Sequence, residues 1–202
     1  MKIICIGRNY ADHAKEMNSP VPKEPIFFMK PDTAIHQETN YYIPDFTKDL
    51  HHEIEIVVKI NKVGKNIEPQ FAANYYSEIG LGIDFTARDI QKQCKEQGLP
   101  WEKAKSFDSS AVVSKTFFDK NKLNLSDLNF SLTKNDVVVQ KGNTRDMIFI
   151  IDLLISHISK YVTLKVGDLI YTGTPEGVGP VKIGDKLCGF IEGNKLFELH
   201  VL

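Results

Sequence analysis

Cysteine is scarce in this chain: Cys5, Cys94 and Cys188 are odd in number and far apart in 202 residues. That spacing excludes a disulfide framework and a cysteine zinc site, and is expected of a reducing compartment. Charge of one sign is lacking too. The 25 Lys and Arg against 26 Asp and Glu leave a formal net charge of -1, with a pI near 6.6 and no basic block. Nucleic acid and anionic membrane surfaces are therefore not expected partners. Long hydrophobic runs are missing: the most apolar helical stretch, Met147 to Ile155, is short and broken by Asp152, which excludes a membrane span. No signal peptide is read at the start, so a cytoplasmic protein is expected. Nor is there a P-loop, a G-x-G-x-x-G fingerprint, a G-x-S-x-G elbow or an H-E-x-x-H helix, which removes the commonest nucleotide, serine-hydrolase and zinc-protease readings. With 42% hydrophobic and 25% charged residues, what remains is the composition of one globular domain over residues 1–202 with a sizeable core.

The most informative segment is His51-His52-Glu53-Ile54-Glu55-Ile56-Val57-Val58. In a strand, Glu53 and Glu55 share one face and Ile54, Ile56 and Val58 the other. Two acids side by side repel. A hard divalent cation relieves that repulsion, whereas an isolated E-x-E is more often simply solvated. A second acid-bearing strand, Ile79 to Asp84, is expected to end where a helix from Thr86 to Gln97 begins, with Thr86 and Asp89 spaced as a capping box. If Asp84 joins Glu53 and Glu55, three carboxylates without His or Cys favour Mg²⁺, Mn²⁺ or Ca²⁺.

Lys2 to Gly7 reads as a strand running into a helix over Asn9 to Met17, on which His13 and Glu16 lie three apart on one face. A carboxylate there can orient an imidazole for proton transfer, though helix surfaces carry many such pairs. Pro20, Pro22 and Pro25 precede a strand from Ile26 to Met29, stopped by Lys30-Pro31. Helices are predicted over Glu68 to Ser77 and Asp146 to Tyr161, the latter with a stripe of Ile148, Ile151, Leu154, Ile155 and Ile158. Pro100 to Asp108 reads as an ordered loop carrying Lys105, with Lys103 as a competing lysine. Strands at Leu128 to Leu132 and Val137 to Gln140 flank a turn at Lys134-Asn135-Asp136. Two similar turns, Lys165-Val166-Gly167-Asp168 and Lys182-Ile183-Gly184-Asp185, lead into C-terminal strands. The expected class is α+β, dominated by mixed and antiparallel sheet.

Four motifs, in order and over nearly the whole chain, resemble the fumarylacetoacetate hydrolase family: Gly7-Arg8-Asn9-Tyr10-Ala11-Asp12-His13, His52-Glu53-Ile54-Glu55, Gly82-Ile83-Asp84-Phe85-Thr86-Ala87-Arg88-Asp89, and Thr172-Gly173-Thr174-Pro175-Glu176-Gly177-Val178-Gly179-Pro180. The similarity is to its short acylpyruvase and oxaloacetate decarboxylase branch. The resemblance implies a β-sandwich roll with a few short helices, a homodimer, and Mg²⁺ or Mn²⁺ held by Glu53, Glu55 and Asp84. It further implies a water-activating dyad of His13 and Glu16, a substrate-stabilising Lys105, and substrate contacts from Arg8, Arg88, Gln91 and Thr174. Longer relatives use a fourth metal-binding acid upstream of the first motif; Met1 to Ile6 contain none, so three carboxylates are expected here.

The implied activity is metal-dependent cleavage of a β-keto or β-diketo acid through a metal-bound pyruvate enolate: hydrolysis of an acylpyruvate, decarboxylation of oxaloacetate, or both. Isomerisation or decarboxylation of a 2-hydroxymuconate-type diacid is a further use of the same enol chemistry. A non-catalytic metal-binding β module is the reading of a different class, and it leaves His13 and Lys105 without a role.

Overall fold

The computed structural model describes residues 1–16 and 20–202. Three sheets form its frame. The largest has eight strands, ordered Ile26–Lys30, Ile3–Gly7, Leu169–Tyr171, Ile54–Ile60, Tyr76–Asp84, Ala111–Val113 and Ile35–His36, with Phe118–Asp119 also paired to Tyr76–Asp84. A five-stranded sheet runs Val137–Asn143, Asn129–Lys134, Lys186–Ile191, Asn194–Val201 and Asn40–Tyr41, and a three-stranded sheet joins Gly179–Pro180, Leu50–His52 and Thr86–Ala87. Pairing is mixed: Ile3–Gly7 runs parallel to Leu169–Tyr171, while Ile54–Ile60 and Tyr76–Asp84 are antiparallel. The expected α+β class, rich in mixed sheet with few short helices, is what the chain adopts.

The alternation in Ile54–Ile60 sorts its side chains to two apolar layers. Ile54, Ile56 and Val58 enter the main core between the sheets, while Val57 joins Ile3, Cys5, Leu169 and Tyr171 in a smaller cluster on the opposite face. Glu55 belongs to that second face by the same period, so the acids lie at the end of an apolar layer. Gly82 permits this crowding: a Cβ there would collide with the Val112 carbonyl and with the Tyr171 ring.

Several predicted boundaries shift. The acidic strand is interrupted at Glu53, which lies between Leu50–His52 and Ile54–Ile60. The first helix is Ala11–Glu16, and Met17 lies outside the described residues. Helical structure after Glu68 covers Pro69–Ala72 and a 3-10 turn to Tyr75, because Tyr76 is drawn into pairing with Ile60 and Ser77 follows it into the strand. The long helix is Ile151–Tyr161, so Ile148 lies outside it, and its amide donates instead to the Asn9 carbonyl at 2.8 Å. Lys103 and Lys105 stand on a short helix, Glu102–Lys105, rather than a loop. The two Lys-x-Gly-Asp turns share one device: the Asp168 and Asp185 carboxylates each accept from the amide of the Lys three positions back, at 2.8 Å. Among the described residues no helix is long and apolar enough to cross a membrane.

Candidate active site

The ends of the Ile54–Ile60 and Tyr76–Asp84 strands, paired antiparallel, bring Glu53, Glu55 and Asp84 together, with one oxygen of each within 4.8 Å of the others. All three are buried, at 6%, 1% and 1% exposure, which overturns the solvated reading of the acidic pair. Lys105 Nζ bridges two of them, donating to Glu53 Oε2 at 2.8 Å and Asp84 Oδ2 at 2.9 Å. Lys103, two residues away on the same short helix, is exposed. Arg88 donates to Glu53 Oε1 at 2.6 Å and to Gln91 Oε1 at 2.7 Å.

A further cation, Lys30, escaped the sequence reading, which treated it as the end of a strand. It is 2% exposed, and its Nζ lies 2.8 Å from Asp84 Oδ1. That contact is charge against charge without an aligned N–H, since Lys30 also meets Ser110 Oγ at 3.0 Å, the Ser110 carbonyl at 3.2 Å and the Lys105 carbonyl, and Asp84 Oδ1 has no hydrogen-bond donor. The signal was present in the strand period: Ile26, Phe28 and Lys30 share one face of Ile26–Lys30, and Ile26 and Phe28 line the same cleft.

Thr86 also departs from expectation. It belongs to the two-residue strand Thr86–Ala87, Ala87 precedes the helix Arg88–Gln97, and no side chain caps that helix. Thr86 Oγ1 donates to Glu53 Oε1 at 3.1 Å, while Asp89 accepts from Thr47 Oγ1 at 2.6 Å and from the Lys48 amide at 3.0 Å. The capping box is replaced by a tie to the acid and a tie to a neighbouring loop.

The three acids are not electrostatically equal. Burial alone would raise the Glu53 carboxyl, but the Lys105 and Arg88 charges outweigh it and hold Glu53 well below the usual carboxylate range. Lys105 is pushed up: burial opposes its charge, and Asp84 and Glu53 more than compensate. Among the described residues Glu55 has no ion-pair partner and accepts only the Gly173 amide, at 2.6 Å. Burial, then Asp84 and Glu53, drive its carboxyl well above the ordinary value. Glu55 is thus the acid of the three without an ion-pair partner among the described residues, whereas Asp84 is matched by Lys30 and Lys105. Three hard oxygen donors suit a hard divalent cation such as Mg²⁺ or Mn²⁺, and Glu53, Glu55 and Asp84 would hold it.

In the same cleft His13 Nδ1 lies 3.1 Å from Glu16 Oε2. With Nδ1 donating to the Glu16 carboxylate, Nε2 is the ring nitrogen left for a group in the cleft. Glu16 is itself held by the Gly177 amide, at 3.1 and 3.3 Å, which ties the helix to the Thr172–Pro180 motif. In that motif Gly173 takes φ +98°, and a Cβ there would lie 2.6 Å from the Asn9 Cβ. Asn9 is fully buried; its amide donates to the Thr172 and Phe149 carbonyls at 2.8 and 3.0 Å, locking the first motif to the last. The Gln140 amide orientation is determined by its partners: its oxygen accepts the Ile54 amide at 3.0 Å and faces His52 Nδ1 at 2.9 Å, so its nitrogen donates to Thr174 Oγ1 at 2.9 Å. The Thr174 hydroxyl hydrogen is thereby left for a group in the cleft.

Arg8, His13, Glu53, Glu55, Asp84, Arg88, Gln91, Lys105 and Thr174 line one cavity of about 70 Å³, and Glu16 stands behind His13. The sequence reading missed Lys95 and Trp101, which also line it. Lys95 was legible as the residue four beyond Gln91 and seven beyond Arg88, hence on the same helix face.

Residues 2–199 match the family model described as fumarylacetoacetate (FAA) hydrolase C-terminal. The chain is 47% identical over 193 residues to the mitochondrial oxaloacetate tautomerase FAHD1 of Mus musculus, covering 95% of this chain and 87% of that protein. The corresponding protein of Bos taurus is 45% identical with the same coverage. Among solved structures, fumarylpyruvate hydrolase from Pseudomonas aeruginosa, in complex with Mn²⁺ and pyruvate, is similar with a TM-score of 0.94 and 33% identity, over 100% of this chain and 89% of that one.

Proposed function

The chain belongs to the fumarylacetoacetate hydrolase family, and from that premise we propose that its cleft is a divalent-metal-dependent active site for enolate chemistry on a 2-oxo acid, with keto–enol interconversion of oxaloacetate as the principal reaction. The observation that carries the proposal is the convergence of three buried acids, Lys105 and the His13–Glu16 pair on one cavity. The names of the similar tautomerases support the choice of substrate and reaction. This moves the emphasis away from C–C cleavage, which the motifs alone had put first.

A cation bound by Glu53, Glu55 and Asp84, Mg²⁺ or Mn²⁺ by their donor chemistry, would supply Lewis-acid stabilisation of negative charge on substrate oxygens. The chain's own groups handle the protons. His13 Nε2 takes a proton from C3, the C3–H electrons form the C2–C3 double bond as the C2–O2 π pair moves onto O2, and the His13 imidazolium returns its proton to O2, which completes the enol and restores the base. Glu16 keeps the imidazole in the required tautomer and stabilises its charged form. Lys105 sits where its ammonium offsets the charge developing on O2, and Arg88, Gln91 and the Thr174 hydroxyl orient the carboxylate.

Hydrolytic cleavage of a β-diketo acid is the second reading, favoured by the alignment of His13 with Glu16, which suits activation of water as well as of C3–H. The fumarylpyruvate hydrolase similarity supports it. To test both, the protein is stripped with a chelator and restored with Mg²⁺ or Mn²⁺. The decay of enol-oxaloacetate absorbance and the release of pyruvate from oxaloacetate and acetylpyruvate are then followed. Metal-restored acceleration of the enol decay supports tautomerisation, and pyruvate release ranks cleavage against it. No acceleration of any process above the metal-only background overturns the assignment. Homodimerisation is part of the same proposal: light scattering at the 22.9 kDa chain mass alone would overturn that part.

A further inference from the structure

Among the described residues, two cations on the cleft wall have no ion-pair partner. The helix Arg88–Gln97 presents Arg88, Gln91 and Lys95 on one face, but only Arg88 finds an acid, Glu53. Lys95 makes no ion pair among the described residues. Its Nζ instead lies 5.4 Å from the centroid of the Trp101 ring, within the lining of the cleft. Arg8 lines the same cleft and likewise has no ion pair, and its backbone is held at φ +59°, a left-handed conformation that a bulky residue adopts only at a cost.

The charged groups that act on Lys95 are mostly of its own sign. They are Arg88, Arg8 and Lys105, together with Glu53, which Arg88 and Lys105 already neutralise. Lys95 stands at the exposed mouth of the cleft, and partial desolvation there together with those cations disfavours its ammonium. The remaining wall near it, Ile26, Phe28 and Trp101, is apolar or aromatic and offers no acid. Two cations without ion pairs on one cleft, one of them on a left-handed backbone, form a receptor for an anion supplied from outside.

We propose that Arg8 and Lys95 receive the second carboxylate of a dicarboxylic 2-oxo acid, and so select diacids over acyl monoacids of the same 2-oxo head. The assignment rests on the site reading above, in which the acid cluster, Lys105 and Arg88 engage the 2-oxo carboxylate end. A diacid then spans the cleft from that end to Lys95. A monoacid leaves a methyl group facing two cations, whose charge stays uncompensated.

Trp101 is the chain's single tryptophan and lies beneath Lys95, so its fluorescence reports binding directly, without turnover. The probes are malate and lactate, 2-hydroxy acids with the same chelating head that differ by the second carboxylate, titrated in the presence of Mg²⁺. The wild type is expected to bind malate about 10-fold or more tightly than lactate; Lys95→Met should reduce that ratio to about threefold or less, and Lys95→Arg should keep it. A wild-type ratio near one, or a ratio undiminished in Lys95→Met, overturns the proposal. Turnover of oxaloacetate and acetylpyruvate on the same preparations separates the two readings. A Lys95-dependent malate preference without turnover leaves the carboxylate site standing and removes the enzymatic reading, and turnover without the preference does the reverse.

Discussion

Replacing Glu55 by Gln should stabilise the metal-free protein while removing its response to metal, an unusual pair of effects for a substitution in a buried site. Glu55 is 1% exposed, has no ion-pair partner among the described residues, and is disfavoured as an anion by burial and then by Asp84 and Glu53. An acid held above its unfolded value subtracts stability as pH rises from the unfolded carboxylate range, so the cost is present at neutral pH. Glutamine keeps an oxygen for the Gly173 amide and turns its NH₂ toward Asp84 and Glu53, both acceptors. Removing an uncompensated buried charge is worth about 1–3 kcal/mol, by analogy with apolar replacement of buried ions. At about 2–4 °C per kcal/mol for a chain of this size, the metal-free Tm rises by roughly 3–10 °C. The wild type in Mg²⁺ at about 100 times its Kd gains about 2.7 kcal/mol, a rise of roughly 5–10 °C, and Glu55→Gln should show little of it. Differential scanning calorimetry with chelator and with Mg²⁺ measures both. A lowered metal-free Tm, or a Mg²⁺ shift equal to that of the wild type, would refute the reasoning.

Lys30→Met removes the buried ammonium beside Asp84 and leaves Asp84 Oδ1 and the Ser110 carbonyl unmatched, with only Lys105 still on the acid, so urea unfolding should report a loss of about 3–5 kcal/mol, and a loss below about 1 would refute the role. His52 is buried and its pKa is pushed down to about 4 by desolvation. The unfolded chain therefore takes up the proton first as pH falls below about 6.5, and stability that is complete above that pH declines toward pH 4, by roughly 3 kcal/mol at most. His52→Asn should flatten that decline in a pH series of melting curves; unchanged slopes would show that another group carries it. Thr174→Val strips the hydroxyl that Gln140 orients toward the cleft, so kcat/KM should fall by about 10-fold or more with a Tm loss of only a few degrees. A large Tm loss with kcat/KM preserved would make Thr174 structural.

Much of the fold was legible because its signals are local. The alternation that puts Ile54, Ile56 and Val58 on the core face is written into consecutive residues, and so is the turn at Lys134-Asn135-Asp136, where Asn135 and Asp136 both take positive φ. Element ends were less legible. The predicted helix over Glu68 to Ser77 yields Tyr76 and Ser77 to a strand because the partner that claims Tyr76, Ile60 on the neighbouring strand, is remote in sequence. Thr86 and Asp89 have the spacing of a cap, yet each finds a stronger partner elsewhere, in Glu53 and Thr47.

For the site, the sequence by itself determined which residue types were available and in what order: two acids one residue apart on a strand, a third acid before a helix, a histidine three residues from a glutamate, and motifs specific enough to name the family. Only the tertiary structure decided how they meet. It buried the acids, chose Lys105 over the exposed Lys103, brought in Lys30, and left Glu55, Arg8 and Lys95 without counter-ions among the described residues. The physical reason is range. Periodicity and capping act over a few residues, whereas burial and Coulomb pairing join groups far apart in the chain, and no local pattern records which charge will be left unpaired.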